Sequence, residues 1–266
     1  MYDRYNRKIN YLRISITDRC NLRCKYCMPE EGIQLLNHKD ILRFEEILDF
    51  TKVAVNKGID KIRITGGEPL VRKGVVNFVK ELSQINGIKD LSMTTNGILL
   101  EEFAQPLKDA GLHRVNISLD TVNADHYREI TRCGDLTKVI NGIKAAKKAG
   151  LTPLKINCVI NESSEEPDAV GVKKFCESMN IEVRFIHKMN LAKGHFSIVE
   201  GGTGGDCNLC NKLRLSSDGK LRPCLFNDVS IDIRKQGFDK AIEIALDLKP
   251  VRGTVSCQNK FNEIGG

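Results

Sequence analysis

The sequence predicts an α/β fold: a partial (β/α)6 barrel of the TIM type with a smaller C-terminal extension. Three observations carry that prediction. Six short runs of strand character recur along the chain, and helix-like segments separate most of them. The chain has 266 residues, and barrels commonly run to roughly 250 residues as one domain. The residues suited to chemistry fall where the strands end, which is where this architecture keeps its active site.

The first strand is NYLRISIT (10–17), and the cysteine-rich TDRCNLRCKYC follows it. RFEEILDFTKVAVNKG (43–58) has helical spacing and closes on Gly58, as helices often do. The second strand, DKIRIT (60–65), runs into Gly66-Gly67-Glu68-Pro69, and GVVNFVKELSQI (74–85) reads as the next helix. DLSMTT (90–95) leads to Asn96-Gly97, and HRVNISL (113–119) leads to Asp120. The helix LTKVINGIKAAKKAG (136–150), closing on Gly150, precedes the strands PLKINCVI (153–160) and IEVRFI (181–186). The regularity breaks after Arg184. GHFSIVEGGTGGD (194–206), with five glycines in thirteen residues, reads as a flexible linker. The expected division is a barrel over 1–189 and a smaller unit over 190–266.

Composition narrows the function classes. The net charge of +7 is spread along the chain without a lysine-arginine block or an interleaved aromatic platform, so no nucleic-acid partner is expected. A polyanionic small molecule suits that charge better. No apolar run approaches the roughly 20 residues that cross a bilayer, and MYDRYNRKIN lacks the apolar stretch of a secretory signal. The expectation is a cytoplasmic protein with no membrane partner. Six of the ten cysteines fall in two tight clusters, which points to metal rather than to a disulfide framework. Cys133, Cys158, Cys176 and Cys257 are isolated, and Cys158 and Cys176 are expected to pack as small apolar residues.

Cys20-x3-Cys24-x2-Cys27 directly follows the first strand. Three thiolates on one loop hold three irons of a [4Fe-4S] cluster, which ordinarily takes four cysteines, and leave one iron open to a substrate. A structural zinc site with a distant fourth ligand is the alternative. Cys207-x2-Cys210-x13-Cys224 again offers three thiolates, and Cys257 or His195 would have to complete a closed site there. Taken alone, GGEP is a turn whose glycines admit a close ligand and whose proline fixes the exit.

Arg13, Lys61, Arg63, Lys155 and Arg184 all lie inside strand runs. A buried cation needs an anion, and Asp60 and Glu68 are too few to neutralise the set. Lys61 and Arg63, two apart, share a face. Singly, each could reach solvent or a helix carboxylate. As a group they suggest an inward cationic lining for a triphosphate or similar polyanion.

CNLRCKYC resembles the signature of the radical S-adenosylmethionine (SAM) enzymes, so the barrel is expected to be of the radical SAM class. That resemblance implies an open iron chelating SAM, reductive cleavage of SAM, and a 5′-deoxyadenosyl radical that takes a hydrogen atom from substrate. It also implies that Gly66, Gly67 and Glu68 receive the methionyl amino group, with Tyr26, Ser118 and Met189 at SAM-contacting positions.

Two open three-cysteine clusters at these spacings resemble the GTP 3′,8-cyclases of molybdenum cofactor (molybdopterin) biosynthesis. The likeness runs through LRISITDRCNLRCKYCMP, KIRITGGEPLVR, TTNG, VNISLD, VRFI and CNLCNKLRLSSDGKLRPCLF to the terminal Ile264-Gly265-Gly266. It implies two [4Fe-4S] clusters and a lyase that abstracts the ribose 3′ hydrogen of GTP to form 3′,8-cyclo-7,8-dihydroguanosine 5′-triphosphate. The open iron of the second cluster, held by Cys207, Cys210 and Cys224, would touch the guanine. Arg13, Arg63, Thr94, Lys155, Arg184, Lys212 and Arg214 are the implied substrate contacts, Gly265 and Gly266 would reach into the active site, and Arg13, Gly265 and Gly266 are the candidates for a catalytic role. An electron donor of the flavodoxin or ferredoxin kind is implied, and a homodimer is a candidate assembly.

The chain departs from that family in three places. It reads FIHKMN where the family has FIEFMP, only seventeen residues separate Met189 from Cys207, and Lys212 replaces an arginine. Lysine does not make the same bidentate clamp. A twin-cluster radical SAM enzyme for another nucleotide or a peptide, and a zinc- or cluster-bearing binding protein without turnover, are the other readings.

Overall fold

A computed structural model describes residues 1–264, so Gly265 and Gly266 lie outside the described residues. Six parallel strands run inward from one edge of an open sheet: β1 (Tyr11–Ser15), β2 (Lys61–Thr65), β3 (Asp90–Thr95), β4 (Arg114–Ser118), β5 (Lys155–Ile160) and β6 (Glu182–His187), with β6 at that edge. They neighbour one another in chain order, the arrangement of a partial (β/α)6 barrel. Each lies within two residues of its sequence-predicted bounds.

The connecting helices are α1 (Phe44–Asn56), α2 (Val75–Ser83), α3 (Leu100–Asp109), α4 (Ala124–Thr131), α5 (Leu136–Lys148) and α6 (Pro167–Met179). Successive strand residues point to opposite faces. One face carries Leu12, Ile14, Ile62, Ile64, Leu91, Met93, Val115, Ile117, Ile156, Cys158 and Ile160, all buried in the core that the helices cover. Cys176 of α6 joins the same core, so Cys158 and Cys176 pack as small apolar residues. The other face carries Arg13, Ser15, Arg63, Thr65, Ser92, Thr94, Asn116 and Asn157. An apolar face under helices and a polar face opposite is a sheet built to line a site.

Beyond the edge at β1, the sheet continues through β7 (Lys212–Leu215), β8 (Lys220–Arg222) and β9 (Ile231–Asp232). β7 pairs parallel with β1, while β8 and β9 run antiparallel. Two helices follow, α7 (Ile233–Gln236) and α8 (Phe238–Asp247), and Phe238 meets Phe50 of α1 edge-on at 5.6 Å. The last helix is α9 (Phe261–Ile264).

The glycine-rich stretch does not behave as the linker the sequence suggested. It folds back along β6, where Phe185 and Glu200 exchange backbone hydrogen bonds of 3.1 and 3.0 Å, and Asn190 pairs likewise with His195. Its glycines serve close packing: a Cβ on Gly205 would lie 1.9 Å from the Ser197 carbonyl oxygen, and one on Gly194 would lie 2.2 Å from that of Thr254. Side chains at these positions would displace backbone.

Candidate active site

The loop after β1 carries the first cysteine triad. Its backbone turns around Cys24, whose carbonyl accepts from the Cys27 and Met28 N–H groups at 3.0 and 2.9 Å. The end of α4 clasps the loop: Arg23 and Lys25 donate to the Thr131 and Ile130 carbonyls, and Arg132 donates to those of Arg23 and Met28. The two glycines after β2 let this loop sit against the sheet. A Cβ on Gly67 would come within 2.3 Å of the Arg19 carbonyl, and one on Gly66 within 2.8 Å of that of Thr17. They are needed for the cluster loop as well as for any ligand.

Cys20, Cys24 and Cys27 open onto a cavity of about 200 Å³, lined also by Tyr26, Gly66, Gly67, Thr94 and Ser118. Burial pushes the Cys20 thiol up to about 11 and Cys27 to about 12, and Cys24 higher still, where Asp120 and the other two cysteines add to it. These thiols are held protonated until a cation shares their site. Tyr26 donates to Asp120 at 2.9 Å, and Asn96 donates to Asn21 at 2.7 Å beside Cys20. Asp120 also accepts from the Val159 N–H at 2.8 Å, and burial raises its carboxyl to about 6.

Glu68 sits behind the glycines, 1% exposed. It accepts from Leu70 N–H at 3.0 Å, Thr95 hydroxyl at 2.8 Å and Asn96 N–H at 2.7 Å. Burial outweighs these bonds and lifts its carboxyl to about 7. An acid raised above its unfolded value of 4.5 stabilises the fold fully below that value, and the contribution is lost as pH rises through about 7. The cluster-free chain is therefore expected to lose on the order of 2–3 kcal/mol from this group between about pH 4.5 and 7.5. Urea unfolding across that range checks it: the pH slope of the native chain should exceed that of Glu68→Gln. Equal slopes would contradict it.

A second, larger cavity of about 420 Å³ adjoins the first, and Asn157, Ile186 and Met189 line both. Cys207, Cys210 and Cys224 open onto it. On its sheet side, register aligns Arg214 of β7, Arg13 of β1 and Arg63 of β2 in one row, with Lys212, Tyr11 and Lys61 in the next. Burial, then the neighbouring Arg214 and Arg63 charges, hold the Arg13 guanidinium well below its usual range. Burial, then the Arg214 and Arg13 charges, bring Lys212 down to about 8 against the pull of Cys210. The Arg63 guanidinium and Lys212 ammonium lie 5.5 and 5.9 Å from the Tyr11 ring centroid. Cationic groups side by side in a row give this wall a positive potential that suits an anionic ligand.

Of the predicted residues, Arg13, Lys61, Arg63, Arg184, Met189, Lys212 and Arg214 meet at the larger cavity, whereas Thr94 and Ser118 line the smaller one. Lys155 lies apart from both linings and bonds Glu182 across the strand pair. Gly265 and Gly266 fall outside the described residues. Sequence reasoning missed Asn157, whose only signal was its spacing from Lys155 on β5. It also missed the clamp on the second triad. Arg7 donates to the Cys207, Val251 and Pro250 carbonyls, and Lys249 donates to Cys210 Sγ and to two carbonyls.

The donor sets fit iron–sulfur clusters and ligands better than a closed zinc site. Cys257 is exposed, its N–H bonds Asp228, and neither it nor His195 lines the second cavity. Among the described residues no three of His, Cys, Asp and Glu are arranged to hold a single ion. Thr94 Oγ1 at the smaller cavity, and Tyr11 Oη and Arg184 Nε at the larger, are buried polar atoms with no hydrogen-bond partner among the described residues. Buried polar groups are normally bonded, so these await ligand atoms.

Comparison with known proteins agrees with this geometry. A family model described as the Radical SAM superfamily matches residues 14–168. The GTP 3′,8-cyclase of Alkaliphilus oremlandii is 44% identical over 275 residues, covering 88% of this chain and 86% of the relative. That of Moorella thermoacetica is 45% identical over 279 residues, with coverage of 88% and 86%. That of Petrotoga mobilis is 41% identical over 303 residues, with 94% of each chain covered. These alignments are longer than the 266 residues here, so the relatives carry residues this chain lacks. Among solved structures, Streptococcus suis SuiB bound to S-adenosylmethionine superposes with a TM-score of 0.65 at 16% identity, covering 90% of this chain and 68% of that one. Native anSMEcpe with bound AdoMet gives 0.54 at 21% identity, covering 70% and 53%. At these identities the structural likeness concerns the fold.

Proposed function

The chain belongs to the radical SAM superfamily and, within it, to the GTP 3′,8-cyclases, and from that premise we propose how its two cavities divide the work. It is a radical SAM lyase of molybdenum cofactor biosynthesis that uses [4Fe-4S] clusters and SAM and converts GTP to 3′,8-cyclo-7,8-dihydroguanosine 5′-triphosphate. The observation that carries the division is the shared wall of Asn157, Ile186 and Met189 between two cavities that each hold an open cysteine triad.

Residues 1–189 bind the first cluster through Cys20, Cys24 and Cys27. Gly66, Gly67, Thr94 and Ser118 face the ligand in that cavity, while Tyr26, tied to Asp120, keeps the loop in place. With cluster and SAM bound, this cavity supplies the 5′-deoxyadenosyl radical. Glu68 orients the Gly66-Gly67 turn through its bonds to Leu70, Thr95 and Asn96, and its buried charge favours the methionyl amino group.

Residues 190–266 bind the second cluster through Cys207, Cys210 and Cys224. Arg13, Arg63, Arg214, Arg184, Lys61 and Lys212 hold the GTP triphosphate and ribose, with the guanine toward the second triad. Guanidinium groups suit this task because they bind phosphate oxygens in pairs. Lys155, also a proposed contact, is engaged by Glu182. The folded-back stretch from Asn190 to Asp206 closes the outer side with Phe196, Val199 and glycine backbone, so the wall exists without the longer segment of the relatives.

Among the described residues no helix is long and apolar enough to cross a membrane. We place the reaction in the cytoplasm, with a flavodoxin- or ferredoxin-like electron donor and a second copy of the chain as candidate partners. The test is anaerobic reconstitution followed by incubation with SAM, reductant and GTP. Formation of 5′-deoxyadenosine together with a cyclised nucleotide is expected. Deoxyadenosine formation that ignores GTP would overturn the assignment.

A further inference from the structure

Lys249 follows α8 and is 1% exposed, which is rare for a lysine without a specific partner set. Its ammonium has three donors and uses all of them. It donates to the Lys212 carbonyl at 2.8 Å, to the Pro223 carbonyl at 2.7 Å and to Cys210 Sγ at 3.4 Å. The two carbonyls belong to the two halves of the second triad: Lys212 lies two residues past Cys210, and Pro223 immediately precedes Cys224. One buried cation therefore joins the Cys207–Cys210 loop to the end of β8 and points its third proton at a ligand sulfur. Lys249 is absent from the lining of either cavity, so it acts from behind the cysteines. Arg7, the other clamp, binds the Cys207 carbonyl and leaves the sulfur alone.

A cluster held by thiolates carries negative charge that grows by one when it is reduced. Hydrogen bonds and positive charge at the ligand sulfurs favour that added electron and raise the reduction potential. Resting on the assignment of an iron–sulfur cluster to the second triad, we infer that Lys249 is a positioning residue that sets the potential of that cluster through its N–H···S contact to Cys210. Its two carbonyl bonds keep the donor aimed and hold Cys210 and Cys224 at a constant separation.

The test uses the chain with Cys20, Cys24 and Cys27 replaced by serine, reconstituted so that only the second cluster is present, and an EPR-monitored redox titration. Iron near four per chain establishes the cluster itself; its absence there would count against the cluster assignment and not only against Lys249. In Lys249→Gln, which keeps a donor but removes the charge, iron content should persist. The reduced-to-oxidised ratio at fixed potential should fall about tenfold, equivalent to about 59 mV for one electron. Lys249→Arg should restore most of the shift. An intact cluster with an unchanged potential in Lys249→Gln would overturn the inference. If the glutamine variant fails to fold, the native lysine decides. With ¹⁵N-lysine label and Lys212→Arg to remove the other nearby amine, pulsed EPR of the reduced second cluster should show a coupled ¹⁵N nucleus. Its absence would likewise overturn the proposal.

Discussion

Cys24→Ala is expected to abolish 5′-deoxyadenosine formation, by a factor of about 10³ or more, while Cys210→Ala is expected to leave SAM cleavage measurable and to eliminate the cyclised nucleotide. The two substitutions look alike on paper, since each removes one thiolate of three. They differ because the triads open onto different cavities: Cys24 lies with Gly66, Gly67 and Ser118, and Cys210 lies with the arginine row. On the proposed division, a chain unable to hold the first cluster would have no electron to supply to the SAM sulfonium, and the uncatalysed barrier would return. A chain unable to hold the second would keep the chemistry of the first but would lose the proposed anchor for the guanine. Reaction geometry then relaxes, and misplacement of about 1 Å costs on the order of 10²-fold. Iron analysis accompanies the assay. Each variant should fall from about eight irons per chain toward about four. Equal effects of the two substitutions on deoxyadenosine would contradict the division of the site.

The second large effect is at Arg63. It stands at the centre of the cationic row, 8% exposed, with Nε only 3.4 Å from Ser92 Oγ, so its remaining donors are available to an anion. A hydrogen bond to a charged group contributes about 1.5–3 kcal/mol, and a paired phosphate contact makes two. Arg63→Ala should therefore raise KM for GTP by about 10²–10³-fold with a smaller change in kcat. Arg63→Lys keeps the charge but loses the fork, and an intermediate rise of about tenfold is expected. SAM binding should not change, because Arg63 is absent from the smaller cavity. Steady-state kinetics with GTP varied, and calorimetry with SAM alone, separate the two. A kcat loss at unchanged KM would mean that Arg63 serves the chemistry and not the anchoring.

The features of the fold and site that are legible in the sequence share a physical reason. Strands β1 to β6 declared themselves because one face must be apolar to sit under helices, so Leu12-x-Ile14 and Ile62-x-Ile64 alternate with charged or polar residues. The same alternation exposed Arg13 and Arg63 as members of a cationic set larger than the acids nearby in sequence. Their alignment with Arg214 was not legible. It depends on β7 pairing with β1 across some 200 residues, and β7 to β9 have only four, three and two residues. Segments that short carry no periodicity.

Lys249 and Arg7 were invisible for a related reason. Their partners are mostly backbone carbonyls, which every residue has, so no side-chain complement marks them. The glycines from Gly194 to Gly205 were misread because glycine permits both mobility and close packing, and only the neighbouring chain decides between them. Here Ser197 and Thr254 lie so near that close packing is the function.

The proposed function has GTP bridging the two cavities, its ribose 3′ hydrogen toward the SAM side and its triphosphate on the arginine row. Turnover with GTP deuterated at the ribose 3′ position tests it most directly. The deuterium is expected in 5′-deoxyadenosine, read by mass spectrometry, in step with formation of the cyclised nucleotide. Unlabelled deoxyadenosine from the same reaction would contradict it.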